Sequence, residues 1–153
     1  MKYTEAQQGR TFIVQLEEGE IFHEAIETLA SQENVQAGVL IAVGGISQGS
    51  SLIVGPQNES QRPIEPMKVL LENVHEIAGT GTLFPDEKGQ PILHMHFACG
   101  RENNTKTGCV RNGVIVWKVM EVVLLELINT DPRRVFDQDT GFQILQVSSS
   151  PRK

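Results

Sequence analysis

The segment Ile92-Leu93-His94-Met95-His96-Phe97-Ala98-Cys99 decides how the rest of the chain reads. Side chains on an extended strand alternate between faces with a period of two. Leu93, Met95, Phe97 and Cys99 therefore share one apolar face. His94 and His96 share the other, with Ile92 and Ala98. A strand with one fully apolar face has a core on that side. Its second face carries two imidazoles at i and i+2, close enough to converge on one ion. Zinc accepts histidine nitrogen and cysteine sulfur, usually in tetrahedral geometry.

Working outward, the polar run Arg101–Lys106 (RENNTK) can turn the chain back and set Cys109 on an adjoining strand, within reach of both histidines. The candidate metal ligands are thus His94, His96 and Cys109, with one position left for water, a carboxylate or a neighbouring subunit. Three protein ligands and an open position are how catalytic zinc sites are built, although a structural ion at an interface uses the same donors. Glu121, between apolar runs, and Glu76, beside His75, are candidates for a supporting carboxylate or a base. Cys99 belongs to the apolar face and reads as a small buried hydrophobe. His23 reads as a solvated helix residue, and His75-Glu76 as an ordinary strand start. Arg133-Arg134 and Arg152-Lys153 read as solvated charge.

Around this segment the pattern is mostly of strands. Thr11–Leu16 (TFIVQL) reads as a first strand after a mobile lead-in at 1–10. Glu17–Glu20 places acidic groups where a helix would start. Ile21, Phe22, Ala25, Ile26, Leu29 and Ala30 follow at helical spacing, and Asn34 and Gly38 mark the end. Strands are then expected at Ala37–Val43, Ser51–Val54, Lys68–Leu71, Glu76–Phe84, Pro91–Cys99, Val114–Val119, Glu121–Ile128 and Phe142–Val147, with a frayed tail at 148–153. One helix against many closely connected strands predicts an α+β domain with a largely antiparallel β-sheet.

Composition sets the outer bounds. The 153 residues, 39% hydrophobic and 21% charged, suit one globular domain. The two cysteines form no disulfide framework. The polar N-terminus lacks an apolar signal core, which points to the cytoplasm, and no apolar run is long enough to span a membrane. The net charge of −6 disfavours nucleic-acid binding, which draws on Lys and Arg contacts to phosphates. There is no phosphate-binding glycine loop, serine nucleophile elbow or Cys-x-x-Cys pair.

The order of motifs resembles one family. A helix opens at Gly19-Glu20, and a strand runs into Val43-Gly44-Gly45-Ile46. His75-Glu76-Ile77 then leads to Gly79-Thr80-Gly81-Thr82. His94-Met95-His96, Thr107-Gly108-Cys109-Val110, Glu121-Val122-Val123-Leu124 and Asp139-Thr140-Gly141-Phe142 follow. Across residues 9–147 this is similar to the PPC (DUF296) domain, which accompanies AT-hook motifs in plants and stands alone in prokaryotes. The resemblance implies antiparallel strands with one main helix, assembled as a homotrimer. It also implies that the His-x-His strand faces a following Gly-Gly-His-Leu-like segment, where some stand-alone members carry a metal. Here Cys109 stands where members usually have His, so the site is either kept in softer form or lost to packing. No AT-hook is present, and association with itself and other proteins suits this acidic chain. Three functions follow in order: a trimeric binding or regulatory module for a protein or small-molecule ligand, a zinc-dependent enzyme on a small molecule, and direct DNA binding.

Overall fold

The computed structural model describes residues 1–147. Ten strands and one helix follow one another as β1 (Gln7–Leu16), α1 (Phe22–Gln32), β2 (Gly38–Ile46), β3 (Ser51–Pro56), β4 (Pro66–Leu70), β5 (His75–Pro85), β6 (Pro91–Arg101), β7 (Asn104–Val110), β8 (Val116–Ile128), β9 (Arg133–Phe136) and β10 (Gln143–Gln146). Strands β1 to β8 form one sheet in the order β1-β8-β2-β5-β6-β7-β3-β4, and β9 and β10 form a separate hairpin. Every ladder is antiparallel, the lone parallel bridge joining Asp86 to Arg134. The α+β reading with an antiparallel sheet and one main helix describes this architecture.

One face of the sheet is the core. Leu40, Ala42, Leu83, Leu93, Met95, Phe97, Cys99, Met120, Val122 and Leu124 are buried there, with Phe22, Ile26 and Ala30 of α1 packed over them. The apolar residues of α1 recur at helical spacing, so one stripe faces the sheet. Phe22 and Phe97 meet edge to face with centroids 4.9 Å apart, an arrangement adding about 0.5–1.5 kcal/mol beyond area burial. The helix stops at a Schellman motif: Asn34 is left-handed (φ 55°), its N–H donates to Ser31 O, and the Val35 N–H donates to Ala30 O.

Gly79 and Gly81 lie opposite Phe97 and Met95 in the β5–β6 ladder. A Cβ on Gly79 would sit 2.3 Å from the Phe97 ring, and one on Gly81 would sit 2.6 Å from the Met95 Cβ. Both glycines leave room on the core face for the large residues that alternate with His94 and His96, which fixes the orientation of β6.

Several boundaries differ from the sequence reading. Residues 1–10 are not all lead-in, because Gln7 and Gln8 already pair with Ile128 and Leu127. Asn104–Lys106 belong to β7, so the turn after Arg101 is tighter than the polar run suggests; Glu102 carries it at φ 55°. The expected strands at 114–119 and 121–128 are one strand, β8, with a bulge where Lys118 takes φ 58° and the register against β2 shifts between Gly44 and Gly45. Arg133–Phe136 form a strand in which Arg133 is exposed, as solvated charge would be, but Arg134 is buried. The tail at 148–153, with Arg152-Lys153, lies outside the described residues.

Near the start of β1, Arg10 grips Glu126. Its Nε donates to Oε2 and its Nη2 to Oε1, each at 2.8 Å, and its backbone N–H donates to Oε2 at 3.0 Å. These bonds hold the Glu126 carboxyl down at about 2, against the opposing effect of burial. A depressed carboxyl stabilises the folded state above its unfolded value, near 4.3, and that contribution is lost as pH falls toward the folded value. Thermal unfolding of the wild type and Glu126→Gln should therefore differ fully above about pH 5 and converge toward pH 2. A difference that does not change with pH would contradict this.

Candidate metal centre

The face of the sheet opposite the core carries the site. The ladders line up Ile13, Val123, Ile41, Thr80, His96, Cys109 and Ile53 in one row across the strands. Directly paired residues in antiparallel strands project to the same side. Cys109 therefore points to the same side as His96, and His94, two residues earlier, is opposite Thr82. The ligand atoms of His94, His96 and Cys109 all lie within 4.8 Å of one another. The imidazoles meet edge to face with centroids 5.3 Å apart. Beyond the end of β7 the Leu93 N–H has no strand partner, and Glu27 of α1 accepts it at 2.9 Å. This bond ties the helix to the strand that carries both histidines.

The electrostatics act differently on the two kinds of donor. Burial, and then the charges of Arg111, Arg134 and His96, push the His94 pKa down to about 4, so its imidazole is neutral near pH 7. A neutral imidazole is the form that coordinates metal. Burial pushes the Cys109 thiol up, while the nearby charges of Arg111 and Arg134 act in the opposite sense. Cys99 lies on the core face, fully buried, with its thiol pushed up to about 11. It is the small hydrophobe the strand alternation indicates.

The two glutamates are not brought to this cluster. Glu121 has the right face, but β8 and β6 are separated by β2 and β5, roughly 14 Å at ordinary strand spacing. Glu76 is opposite Gly100 and points to solvent, roughly 13 Å along β5 from Thr80. Within one chain neither supports or deprotonates anything bound at the triad. His75 is buried, with Nδ1 2.8 Å from Asn73 O, so it anchors a strand start. His23 is not solvated: its side chain is 15% exposed and its buried Nδ1 has no hydrogen-bond partner.

Sequence reading missed a neighbour of the triad. Arg134, expected in solvent, is 3% exposed. It donates from Nε to Ile92 O at 3.3 Å and from Nη2 to Thr82 Oγ1 at 3.1 Å, and lies 5.8 Å from the centroid of Phe84. Its only signal was an Arg-Arg pair before two apolar residues, which is compatible with a short amphipathic strand.

Comparison with known proteins bears on this arrangement. The family model of the Plants and Prokaryotes Conserved (PCC) domain matches residues 3–128. A metal-containing protein of Archaeoglobus fulgidus has the same fold, with 24% identity, a TM-score of 0.80, and 95% of this chain and 99% of that chain covered. A plant- and prokaryote-conserved (PPC) protein of Pyrococcus horikoshii is 21% identical, with a TM-score of 0.81 and coverage of 95% and 97%. Two further solved neighbours, each 18% identical, are described as candidate DNA-binding proteins. Among curated proteins, the bifunctional protein GlmU of a Synechococcus strain is 29% identical over 140 residues, which is 90% of this chain. The chain spans only a fifth of the length of that relative. No helix among the described residues is long and apolar enough to cross a membrane.

Proposed function

Because the chain belongs to the Plants and Prokaryotes Conserved (PCC) domain family, we propose that it is a zinc-binding module working as a homotrimer. Each chain holds one ion on His94, His96 and Cys109 and offers the fourth position to a small-molecule or protein ligand. The observation that carries this reading is the convergence of two imidazoles and a thiol within 4.8 Å on one face of a rigid sheet. The donors fit zinc, which takes nitrogen and sulfur ligands together. Sulfur in place of the family's usual histidine softens the site without removing a ligand. The metal-containing relative from A. fulgidus adds support. A bound zinc would supply Lewis-acid character at the fourth position. This chain's residues would orient the ion and shield it on the Arg134 side.

Binding is favoured over hydrolysis because neither Glu76 nor Glu121 is near enough to take a proton from anything at the triad. Direct DNA binding is disfavoured by the net charge of −6. The trimer reading draws on the apolar half of the same sheet face, where Ile13, Ile41 and Val43 are 80%, 52% and 49% exposed. Elemental analysis of protein purified without a histidine tag tests the metal reading. About one zinc per chain is expected, and less than about 0.1 per chain after zinc supplementation overturns it.

A further inference from the structure

The charge around the triad is one-sided. Arg134 is almost fully buried, yet its partners, a carbonyl, a hydroxyl and an aromatic ring, carry no negative charge. Arg111 directly follows Val110, the partner of Met95, which brings it to the end of β6 that carries His94, and its charge acts on both His94 and Arg134. Among the described residues neither arginine forms an ion pair. Asp86, bridged to Arg134 through the backbone, directs its Oδ1 to the amides of Lys88 and Gln90 instead. A buried cation without a counter-charge is strongly unfavourable, and two close together repel each other. A divalent ion on two neutral imidazoles and one thiolate would add further positive charge. The β9–β10 hairpin nevertheless places a guanidinium here, and it lies beyond residues 3–128, where the family model matches.

We propose that Arg111 and Arg134 form an oxyanion subsite beside His94, His96 and Cys109, and that the ligand is a small molecule bearing a carboxylate or phosphate group. The inference rests on the zinc reading for the ion's share of the binding, while the arginine pair attracts the anion without it. Arg134 commits Nε and one Nη2 hydrogen, which leaves Nη1 free to donate. A guanidinium fork suits planar or tetrahedral oxyanions, and charge-assisted bonds of this kind are about twice as strong as neutral ones. Thr82 and Phe84 hold the fork in place, so little side-chain freedom is lost on binding. The small ligand is thus anchored by its anionic end and reaches the ion with another group or with an oxygen of the same anion.

Calorimetric titration of inorganic phosphate and, separately, malonate into zinc-loaded and EDTA-treated protein at fixed ionic strength tests this. The wild type should take up one anion per chain in both states, more tightly with zinc, and the tighter of the two anions identifies the class. Arg111→Ala, at a partly exposed position, should weaken anion binding at least tenfold in the EDTA-treated state, where zinc plays no part, a loss of about 1.4 kcal/mol. Arg134→Lys keeps the charge but loses the fork, and should weaken phosphate by a similar factor. In cobalt-substituted wild type, the anion should shift the visible spectrum, and this shift should be lost in Arg111→Ala. No uptake of either anion by zinc-loaded protein at about 10 mM, or equal uptake by Arg111→Ala, overturns the subsite while leaving the metal reading intact. Arginine-dependent anion uptake by a protein that binds no zinc supports the subsite and overturns the metal reading.

Discussion

Replacing His96 with alanine should empty the metal site, lowering zinc from about one per chain to below about 0.1 in dialysed protein. His96 is the middle donor: it is directly opposite Cys109 and two residues from His94 on the same strand face. Its loss leaves two donors, too few for a closed or a catalytic zinc site. Changes one shell further out already cost about 10–100-fold in metal affinity, so removal of a ligand should exceed about 100-fold. The fold should survive, because His96 faces away from the core and is exposed. Exposed substitutions of this kind stay within about 0.5 kcal/mol of stability, so unfolding of the metal-free variant and wild type should coincide. Cys109→Ser should weaken the ion strongly, whereas Cys109→His restores the residue usual in the family and should keep it. Cobalt distinguishes these cases, since the sulfur-to-metal absorption of the wild type should vanish in Cys109→His while tetrahedral bands persist. If His96→Ala retains full zinc, the triad is not the site.

The convergence of His94, His96 and Cys109 was legible because it depends on parity. The alternation Leu93, Met95, Phe97, Cys99 assigns the core face of β6, and so assigns His94 and His96 to the other. Cys109 needed one more step, a tight return after Arg101, which the turn at Glu102 supplies. Glu121 and Glu76 were singled out by their neighbours in the chain, and they do share the face of the triad. Their distance from the triad was not legible, because the order β8-β2-β5-β6 is set by long-range pairing, not by local pattern. Arg134 was illegible for a related reason. Its bonds reach Thr82 and Ile92, far away in sequence, and depend on a short hairpin bridged to Asp86. The interruption of β8 looked like a strand break because a bulge and a break leave the same irregularity in the hydrophobic pattern.

The second large effect concerns assembly. Introducing a charge at Ile41 should convert the wild-type species, expected near three times 16.9 kDa by light scattering, to one of 16.9 kDa. Ile41 lies in the middle of an outward-facing apolar band, between Val123 of β8 and Thr80 of β5, with Val43 on the same strand and Ile13 on β1. Soluble monomers rarely expose such contiguous apolar surface without a partner. Burying an isoleucine side chain contributes about 1.5–3 kcal/mol, and in a trimer every substitution recurs on each subunit. An unpaired carboxylate in the same place adds a penalty of several kcal/mol per ion. Ile41→Glu should thus dissociate the assembly at micromolar concentration, while Ile41→Val, which keeps most of the apolar area, should not. Monomer folding should be little affected, since the core residues Leu40 and Ala42 that flank Ile41 point the other way. The His94–His96–Cys109 cluster occupies the far half of the same face, so zinc content compared between Ile41→Glu and wild type shows whether the ion depends on a neighbouring subunit. A wild type that runs as a monomer contradicts three-fold assembly. An Ile41→Glu variant that keeps the wild-type mass places the subunit contact somewhere other than this band.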